Sequence, residues 1–551
     1  MIYRMGEMTG VIHLIVNRQE LLYDLYALTQ AFYPGIELDT CISSEEAKVD
    51  GIGAERCDVE HCDVAVTHEC RESIEAREYA GRLQDTIEVC LFDCGGSLAI
   101  TAGETITQGY NKVYVEEKIA KEAAVFLADG MEDAAARKRA FKKLFYDAME
   151  EFTGRSLPWG NLTGIRPTKL IRGLMKKNAE ESYGQGRTIA VQLYDMHRLK
   201  GEKLALGMEI AKLQEGILSK MHGLNGYSVY VGIPFCPSRC LYCSFTSNPV
   251  ERWKKRIPEY LGALRKELEY VAASPYFKTR TLDTVYIGGG TPTALSAEEL
   301  DILLGDITAY LPMEHVQEFT VEAGRADSIT EEKLSVLKKY HVTRISINPQ
   351  TMKEETLRLI GRRHTIEDVK NAYAMARRME FDNINMDIIL GLPEETGADV
   401  AYTVQEIRNL APDSLTVHSL AVKRAAGLKD WYKSEGDPRS GGAKEVQHMM
   451  EQAMRTAAEG AKKMGMEPYY LYRQKNMAGN LENTGYALPG KYGLYNILIM
   501  EELQSIVALG AGSVSKRVDE DGCIERCDNV KDIGLYLDKI DEMIERKKGL
   551  F

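Results

Sequence analysis

The sequence predicts an α/β protein built around a row of βαβ units, and three observations carry that expectation. Six short apolar runs, Ser228 to Ile233, Thr284 to Ile287, Glu318 to Glu322, Arg344 to Asn348, Asn383 to Leu390 and Ser414 to Leu420, alternate with stretches of helical spacing. Strands separated by helices of roughly ten residues or more pair in parallel. Right-handed crossovers curl such units into an incomplete barrel or a doubly wound sheet, and in both the ligand lies at the carboxyl ends of the strands. The second observation is that Cys236, Cys240 and Cys243 directly follow the first run. The third is that Gly288-Gly-Gly-Thr291, Glu322, Gln350 and Asp387 follow or close the next four. The features that carry chemistry therefore share one rim.

Taken in order, residues 1–155 read as a separate α/β domain. Val11 to Val16 is strand-like, Glu20 to Phe32 has helical apolar spacing, and Thr86 to Phe92 and Ser97 to Thr101 flank a hairpin-like Asp93-Cys-Gly-Gly. Met131 to Thr153 closes the domain as an amphipathic helix. Its middle holds Cys57, His61, Cys62, His68 and Cys70, whose spacing fits no zinc pattern, so free thiols are the expectation there. Residues 156–225 read as a helical linker. They open on Leu157-Pro-Trp-Gly-Asn-Leu-Thr-Gly-Ile-Arg-Pro-Thr-Lys169, a loop feeding a helix from about Thr168, with Arg166 and Lys169 as structural charges, and continue helically from Thr188 to Gly223.

The barrel-like unit spans 226–425. The remainder, 426–551, reads as a mostly helical cover, with a helix from Lys444 to Met464 and a loop over Tyr469 to Tyr486, where Asn476, Gly479, Asn480 and Asn483 cluster. Such a loop beside an open barrel would exclude water from the substrate. Cys523 and Cys527 provide too few ligands for a metal and read as thiols.

A net charge of −13, from 82 acidic and 69 basic side chains, argues against nucleic acid as the partner. No long apolar segment and no basic-then-apolar leader is visible, so a cytoplasmic chain without a membrane span is expected. Eleven cysteines in 551 residues are too few for a disulfide scaffold. Three of them spaced C-x3-C-x2-C suggest one metal centre. Structural zinc normally takes four ligands, whereas a [4Fe-4S] cluster with one iron left unligated fits three; a zinc site completed from elsewhere and plain thiols are the alternatives. Three consecutive glycines at a strand end let a ligand approach main-chain groups with no Cβ in the way. Glu322 and Asp387 suit ribose hydroxyls or an amino group, and Arg362 suits a carboxylate.

These motifs carry a resemblance. Tyr230-Val-Gly-Ile-Pro-Phe-Cys236 with the three cysteines, Tyr286-Ile-Gly-Gly-Gly-Thr-Pro-Thr293, Val321-Glu-Ala, Arg344-Ile-Ser, Gly361-Arg-Arg-His364 and Asn385-Met-Asp-Ile-Ile-Leu-Gly-Leu-Pro393 resemble the radical S-adenosylmethionine (SAM) enzymes. Within these the chain is similar to the oxygen-independent coproporphyrinogen III oxidases. The long N-terminal extension, Leu162-Thr-Gly-Ile-Arg-Pro-Thr-Lys169 and Tyr469-Tyr-Leu-Tyr-Arg-Gln-Lys-Asn476 resemble the HemZ-like branch.

The resemblance implies a (βα)6 partial barrel in which Cys236, Cys240 and Cys243 hold a [4Fe-4S] cluster whose open iron takes the amino and carboxylate groups of SAM. It implies that Tyr230 and Glu322 act at the reacting centre. Gly288, Gly289, Gly290, Thr291, Gln350, Arg362 and Asp387, with Tyr230 and Glu322, would bind SAM. One electron from a flavodoxin- or ferredoxin-like donor would cleave SAM to methionine and a 5'-deoxyadenosyl radical. The radical would take a β-hydrogen from a propionate of coproporphyrinogen III, carbon dioxide would leave and an electron pass to an acceptor, giving a vinyl, and two propionates would become two vinyls in this way. Arg239, Arg363, Lys423, Arg424, Arg473 and Lys475 are the candidate cations for the substrate carboxylates. The chain departs from the best-known dehydrogenases in two places. It has Phe245 where a fourth cysteine stands and Gly232 where a histidine stands. The Cys-x-Phe ending is shared with the related haem chaperones, so haem binding is the rival expectation, and another acidic substrate a third.

Overall fold

The computed structural model describes residues 11–16, 19–33, 37–42, 86–93, 98–108, 111–115, 134–164, 166–180, 189–244, 247–422, 426–435, 443–474 and 477–551. Cys57, His61, Cys62, His68, Cys70, Phe245, Lys423, Arg424, Lys475 and the turn at 94–97 lie outside them.

Strands β1 (Val11–Val16), β2 (Glu37–Ile42), β3 (Thr86–Asp93), β4 (Leu98–Gln108) and β5 (Asn111–Val115) form one sheet in the order β2-β1-β3-β4-β5. β1 runs parallel to β2 and β3, and β3, β4 and β5 are antiparallel. β2 and β5 go unread in the sequence because Glu37, Asp39 and Thr40, and Asn111 and Lys112, interrupt their apolar runs. The helices Gln19–Phe32 and Ala134–Thr153 pack through Phe32 on Tyr146, ring centroids 5.6 Å apart.

The second sheet contains β6 (Gly226–Ile233), β9 (Thr281–Gly289), β10 (Glu318–Gly324), β11 (Arg344–Ile347), β12 (Ile384–Leu390) and β13 (Ser414–Ser419). A two-stranded pair, β7 (Phe235–Cys236) and β8 (Asn248–Pro249), stands apart from it. These six strands lie side by side in chain order, all parallel. A doubly wound sheet reverses its strand order at a switch point. No reversal occurs, so the incomplete barrel is the arrangement adopted.

Side chains alternate along these strands with period two. Val229, Val231, Ile233, Val285, Ile287, Val321, Ile345, Ile347, Met386, Ile388, Leu415 and Val417 face out and share one core with Leu264, Leu268, Leu300 and Leu304 of the crossover helices. The intervening positions, among them Tyr230, Tyr286, Glu322, Ser346, Asp387 and His418, face the other way and line a polar lumen.

Beyond residue 426 the chain contributes strands as well as helices. β15 (Asn483–Ala487) extends the sheet antiparallel to β13, and β14 (Glu467–Tyr472) lies beyond it, antiparallel to β15. β16 (Ser505–Leu509), β17 (Val514–Val518) and β18 (Ile524–Asp528) extend it past β6, with β16 parallel to β6. The segment expected as a loop, Tyr469 to Tyr486, thus contains two strands, with a short 3-10 helix at Ala478–Asn480 before the second. Its tyrosines form a strand because aromatic rings suit a pleated, half-buried surface, and only the Asn- and Gly-bearing middle turns. The helix expected from Thr188 to Gly223 is broken into Ile189–His197 and Gly201–Leu218, since Arg198 and Gly201 adopt φ of 57° and 60°. The helices at 167–218 pack Ile171, Leu193 and Ile210 around Trp159 and Leu471 of β14.

The last helix, Ile540–Lys548, is fastened by a buried ion pair. Lys547 Nζ stands 2.6 Å from Glu267 Oε1, and the same carboxylate accepts from Gly510 N at 2.7 Å, Tyr536 OH at 2.6 Å and Asn529 Nδ2 at 2.9 Å. Both side chains are wholly buried. Removing one partner of such a pair strands the other charge, which costs about 3–5 kcal/mol. Lys547→Ala is therefore expected to lower the unfolding free energy by about that much, read from the midpoint of a urea titration.

Candidate active site at the carboxyl rim

The cysteine loop sits on the rim because β6 ends there. After Pro234, β7 pairs with β8 and Asn248 N donates to the Pro234 carbonyl at 2.8 Å, which closes the loop on itself. Leu241 N donates to Ile360 O at 3.0 Å, Leu428 N to Leu241 O at 2.9 Å and Ser238 Oγ to Gly361 O at 3.0 Å. Cys236 is buried, and Cys240 and Cys243 are half-buried. Burial pushes the Cys236 thiol up to about 11, against a hydrogen bond from Thr291 Oγ1 at 3.5 Å; the thiols of Cys243 and Cys240 add to the rise. All three thiols therefore share one locality. Among the described residues, no group of three His, Cys, Asp or Glu side chains is gathered closely enough to hold a single metal ion.

Gly288, Gly289 and Gly290 end β9 against this loop. Gly289 has φ of 105°, a conformation that side chains disfavour. At Gly290 a Cβ would stand 2.5 Å from Phe235 O, 2.9 Å from Ile233 O and 3.0 Å from Cys236 Sγ. The backbone instead joins the two: Gly290 N donates to Ile233 O and Thr291 N to Phe235 O, both at 2.7 Å.

Below the loop, the lumen wall carries Tyr230 on β6, Tyr286 on β9, Glu322 on β10 and Asp387 on β12. Tyr230, Tyr286 and Tyr495 stack with ring centroids 4.5 to 6.2 Å apart. Tyr286 OH donates to Glu322 Oε1. Burial pushes the Glu322 carboxyl up to about 7; the Tyr286 hydrogen bond opposes the rise and the charge of Asp387 adds to it. Burial alone would raise Asp387 too, but His418, 3.7 Å away, and Asn385 Nδ2, donating at 2.7 Å, hold it below its ordinary range. Two neighbouring carboxyls are thus pushed apart in acidity.

Gln350 follows β11 with φ of 69°, its backbone bonded to Asp387 O and Ile389 N at 2.9 Å each. Arg362 is buried, with Nη1 donating to Asn348 O at 2.6 Å and Nη2 to Tyr242 OH at 3.2 Å. The structure thus places Tyr230, Gly288 to Thr291, Glu322, Gln350, Arg362 and Asp387 on the rim and wall beside the three cysteines.

One expectation about cations is corrected. Arg473 is buried at the linker joint and donates to the carbonyls of Leu162, Asn480 and Leu481, so its charge faces no ligand space. The guanidinium thus satisfies one carbonyl of the linker loop and two of the segment before β15. Arg239 and Arg363 are exposed beside the cysteine loop. Two site residues escape the sequence reading. Arg325 is buried, forks onto Asp327 at 2.9 and 2.6 Å, donates to Ser238 O and Oγ, and brings Nη1 to 4.0 Å from Cys240 Sγ. Tyr495 arrives from the C-terminal helix Leu494–Glu501. Nothing local in the sequence marks either residue.

The Radical SAM superfamily model matches residues 230–407. The oxygen-independent coproporphyrinogen-III oxidase-like protein HemZ of Bacillus subtilis (strain 168) is 39% identical over 420 residues, 74% of this chain and 81% of that protein. The chain belongs to the radical SAM superfamily, in its HemZ-like branch. The haem chaperone HemW of Bacillus subtilis (strain 168) is 36% identical over 197 residues, 36% of this chain and 51% of that protein. A solved structure of coproporphyrinogen III oxidase (HemN) from Escherichia coli superposes with a TM-score of 0.47 at 20% identity, covering 61% of this chain and 73% of that one.

Radical SAM proteins bind a [4Fe-4S] cluster and SAM, and the rim fits both. Three thiols share one loop, and soft thiolates are what iron-sulfur clusters take. The lumen beneath holds buried polar atoms without partners, Thr320 Oγ1, Ser346 Oγ, Asn348 Oδ1, Gln350 Oε1 and Arg362 Nε, while Gly290 leaves the space beside Cys236 free of a side chain. Buried polar groups are normally hydrogen-bonded, so a run of orphans on adjoining strands marks a place for a polar ligand.

Proposed function

We propose that this radical SAM protein carries out the oxidative decarboxylation of two propionates of coproporphyrinogen III to vinyl groups, giving protoporphyrinogen IX in porphyrin biosynthesis in the cytoplasm. The choice of substrate is supported by the HemZ relative, which is named coproporphyrinogen-III oxidase-like and matches 74% of the chain. When bound, the cluster and SAM supply one-electron cleavage of SAM and a carbon-centred oxidant strong enough to remove an unactivated hydrogen atom.

The chain's own residues do the rest. Cys236, Cys240 and Cys243 hold the cluster. Gly288, Gly289, Gly290 and Thr291 present main-chain groups to the methionine end of SAM. Glu322 and Asp387 accept from its hydroxyl or amino donors, Gln350 and Arg362 offer the orphaned Oε1 and Nε, and Tyr230, stacked against the Tyr286–Tyr495 pair, walls the reacting centre. Strands β14 and β15, with Tyr470 and Tyr472, close the open side of the lumen. The electron comes from a flavodoxin- or ferredoxin-like protein. Neither nucleic acid nor a membrane enters this reading, and among the described residues no helix is long and apolar enough to cross a membrane.

A second reading, haem carriage, has the HemW match over 36% of the chain in its favour. Anaerobic incubation with SAM, a reductant and coproporphyrinogen III separates the two. Protoporphyrinogen IX with loss of carbon dioxide is expected. SAM cleavage without decarboxylation, together with tight haem binding, would instead favour the carrier.

A further inference from the structure

Two of the three cysteine sulfurs face a hydroxyl: Thr291 Oγ1 stands 3.5 Å from Cys236 Sγ, and Ser247 Oγ 3.9 Å from Cys243 Sγ. Cys240 Sγ faces positive charge instead. Arg325 Nη1 lies 4.0 Å from it, and the Arg362 guanidinium is beside it too. Arg362 already has a place in SAM binding, whereas Arg325 has none.

The side chain of Arg325 is only 3% exposed, and an arginine is seldom so buried unless it is paired. Nε and Nη2 fork onto the two oxygens of Asp327 at 2.9 and 2.6 Å, while Nη1, on the other edge of the plane, donates to Ser238 O and Oγ at 3.1 and 2.7 Å. A planar guanidinium held along one edge by a carboxylate presents its remaining N–H groups in a fixed direction. Here they point at the cysteine loop, so the positive edge faces Cys240 and the negative partner stands behind it. The turn Ala326–Ser328 carries Asp327 and is closed by Ser328 Oγ donating to the Arg325 carbonyl at 2.7 Å; the wholly buried His364 ring stands 3.8 Å from Asp327 Oδ1. Tying the loop down needs only the Ser238 bonds, which a neutral donor can make. Burying a full charge there is costlier, and with water excluded its field is far less screened than at a surface. That field acts most on the nearest group whose charge changes, the centre held by the cysteine sulfurs.

We propose that Arg325 is a positioning residue that sets the reduction potential of the iron-sulfur centre, holding it higher by acting through the Cys240 sulfur. The proposal rests on the assignment of the Cys236–Cys243 loop as the cluster site. An added electron makes the centre more negative, so a fixed cation and its N–H group at one sulfur favour the reduced form. The couple is [4Fe-4S]²⁺ plus one electron giving [4Fe-4S]⁺, with no bond made or broken and no proton moved. Arg325 touches neither SAM nor substrate.

The test is a mediated redox titration of the reconstituted full-length protein without SAM, with titanium(III) citrate as the reductant and the paramagnetic signal of the reduced cluster as the readout. Arg325→Gln is expected to shift the reduction equilibrium about tenfold towards the oxidised form, the order of one charge-assisted hydrogen bond. For a one-electron couple that is a midpoint lower by about 59 mV. Arg325→Lys keeps the charge and is expected to fall between that variant and wild type. Because Arg325→Gln leaves Asp327 buried without its partner, Arg325→Gln/Asp327→Asn is measured beside it. Removing the pair together should still lower the midpoint, since the cation is the nearer of the two charges to Cys240. A wild-type midpoint in both glutamine variants would overturn the proposal. So would lost iron with a wild-type midpoint in the cluster that remains, which would make Arg325 a clamp on the loop. A wild-type protein that takes up no cluster would instead sink the site assignment itself.

Discussion

Gly290→Ala is expected to cost the protein its cluster while leaving most of the barrel folded. The added methyl would meet two backbone carbonyls, at 2.5 and 2.9 Å, and the Cys236 sulfur at 3.0 Å. None of these is the far end of a flexible side chain, so the strand end or the cysteine loop must move. Either movement breaks the paired bonds from Gly290 N to Ile233 O and from Thr291 N to Phe235 O. Overpacking costs about 1–3 kcal/mol and each lost backbone bond about 1 kcal/mol, a local penalty of about 3–5 kcal/mol concentrated where Cys236 must be held. Anaerobic iron analysis is expected to show iron content falling several-fold, with the far-ultraviolet circular dichroism nearly unchanged. Wild-type iron content in this variant would mean that the contact between the β9 end and the loop does not position the ligands.

Glu322→Gln is expected to stabilise the ligand-free protein at alkaline pH and to weaken SAM binding. The folded-state carboxyl titrates near 7 because burial disfavours its charge, whereas the unfolded one titrates near 4.5. The sign follows from linkage. The folded state holds the proton more tightly, so stability from this group is greatest below about 4.5, falls as pH rises towards 7, and stays reduced above it. At about 1.4 kcal/mol per pH unit, the penalty at pH 8 is about 3 kcal/mol. Glutamine carries no charge to bury and can still accept the Tyr286 hydrogen bond. Thermal unfolding should therefore show a higher midpoint for the variant at pH 8 and equal midpoints at pH 4.5, where both side chains are neutral in the folded state. SAM affinity, measured by equilibrium dialysis, is expected to fall about 10- to 100-fold, the worth of a charge-assisted hydrogen bond. A variant that lost stability at pH 8, or kept full affinity, would remove Glu322 from its assigned role.

The barrel was legible because its strands are short apolar runs bounded by turn residues, so the observed β6, β9, β10, β11, β12 and β13 start and stop within a few residues of the sequence expectation. The rim was legible for a related reason: ligand-bearing residues must stand where strands end. The choice between a barrel and a doubly wound sheet was not, since it depends on which strands become neighbours. Arg325 and Tyr495 escaped because their positions come from chain folding over distance. Arg325 lies 85 residues from Cys240, and Tyr495 reaches Tyr230 from beyond the barrel. Arg473 looked like a substrate cation because side-chain charge is visible in sequence, while the three carbonyls it serves are not. The polar lumen was within reach. Along Ser228-Val-Tyr-Val-Gly and Ser414-Leu-Thr-Val-His the apolar residues fall on alternate positions, a period-two signal that separates a polar interior face from a helix-covered outer one.

The measurement closest to the centre of this account is electron paramagnetic resonance of the anaerobically reconstituted, reduced protein, titrated with SAM, alongside the Cys240→Ala variant. Wild type is expected to hold about four irons per chain in a [4Fe-4S]⁺ signal that changes shape on adding SAM, because three cysteines leave one iron open to it. The variant should lose both the iron and the response. A Cys240→Ala protein with a normal cluster and a normal SAM response would contradict the assignment of the Cys236–Cys243 loop on which the rest depends.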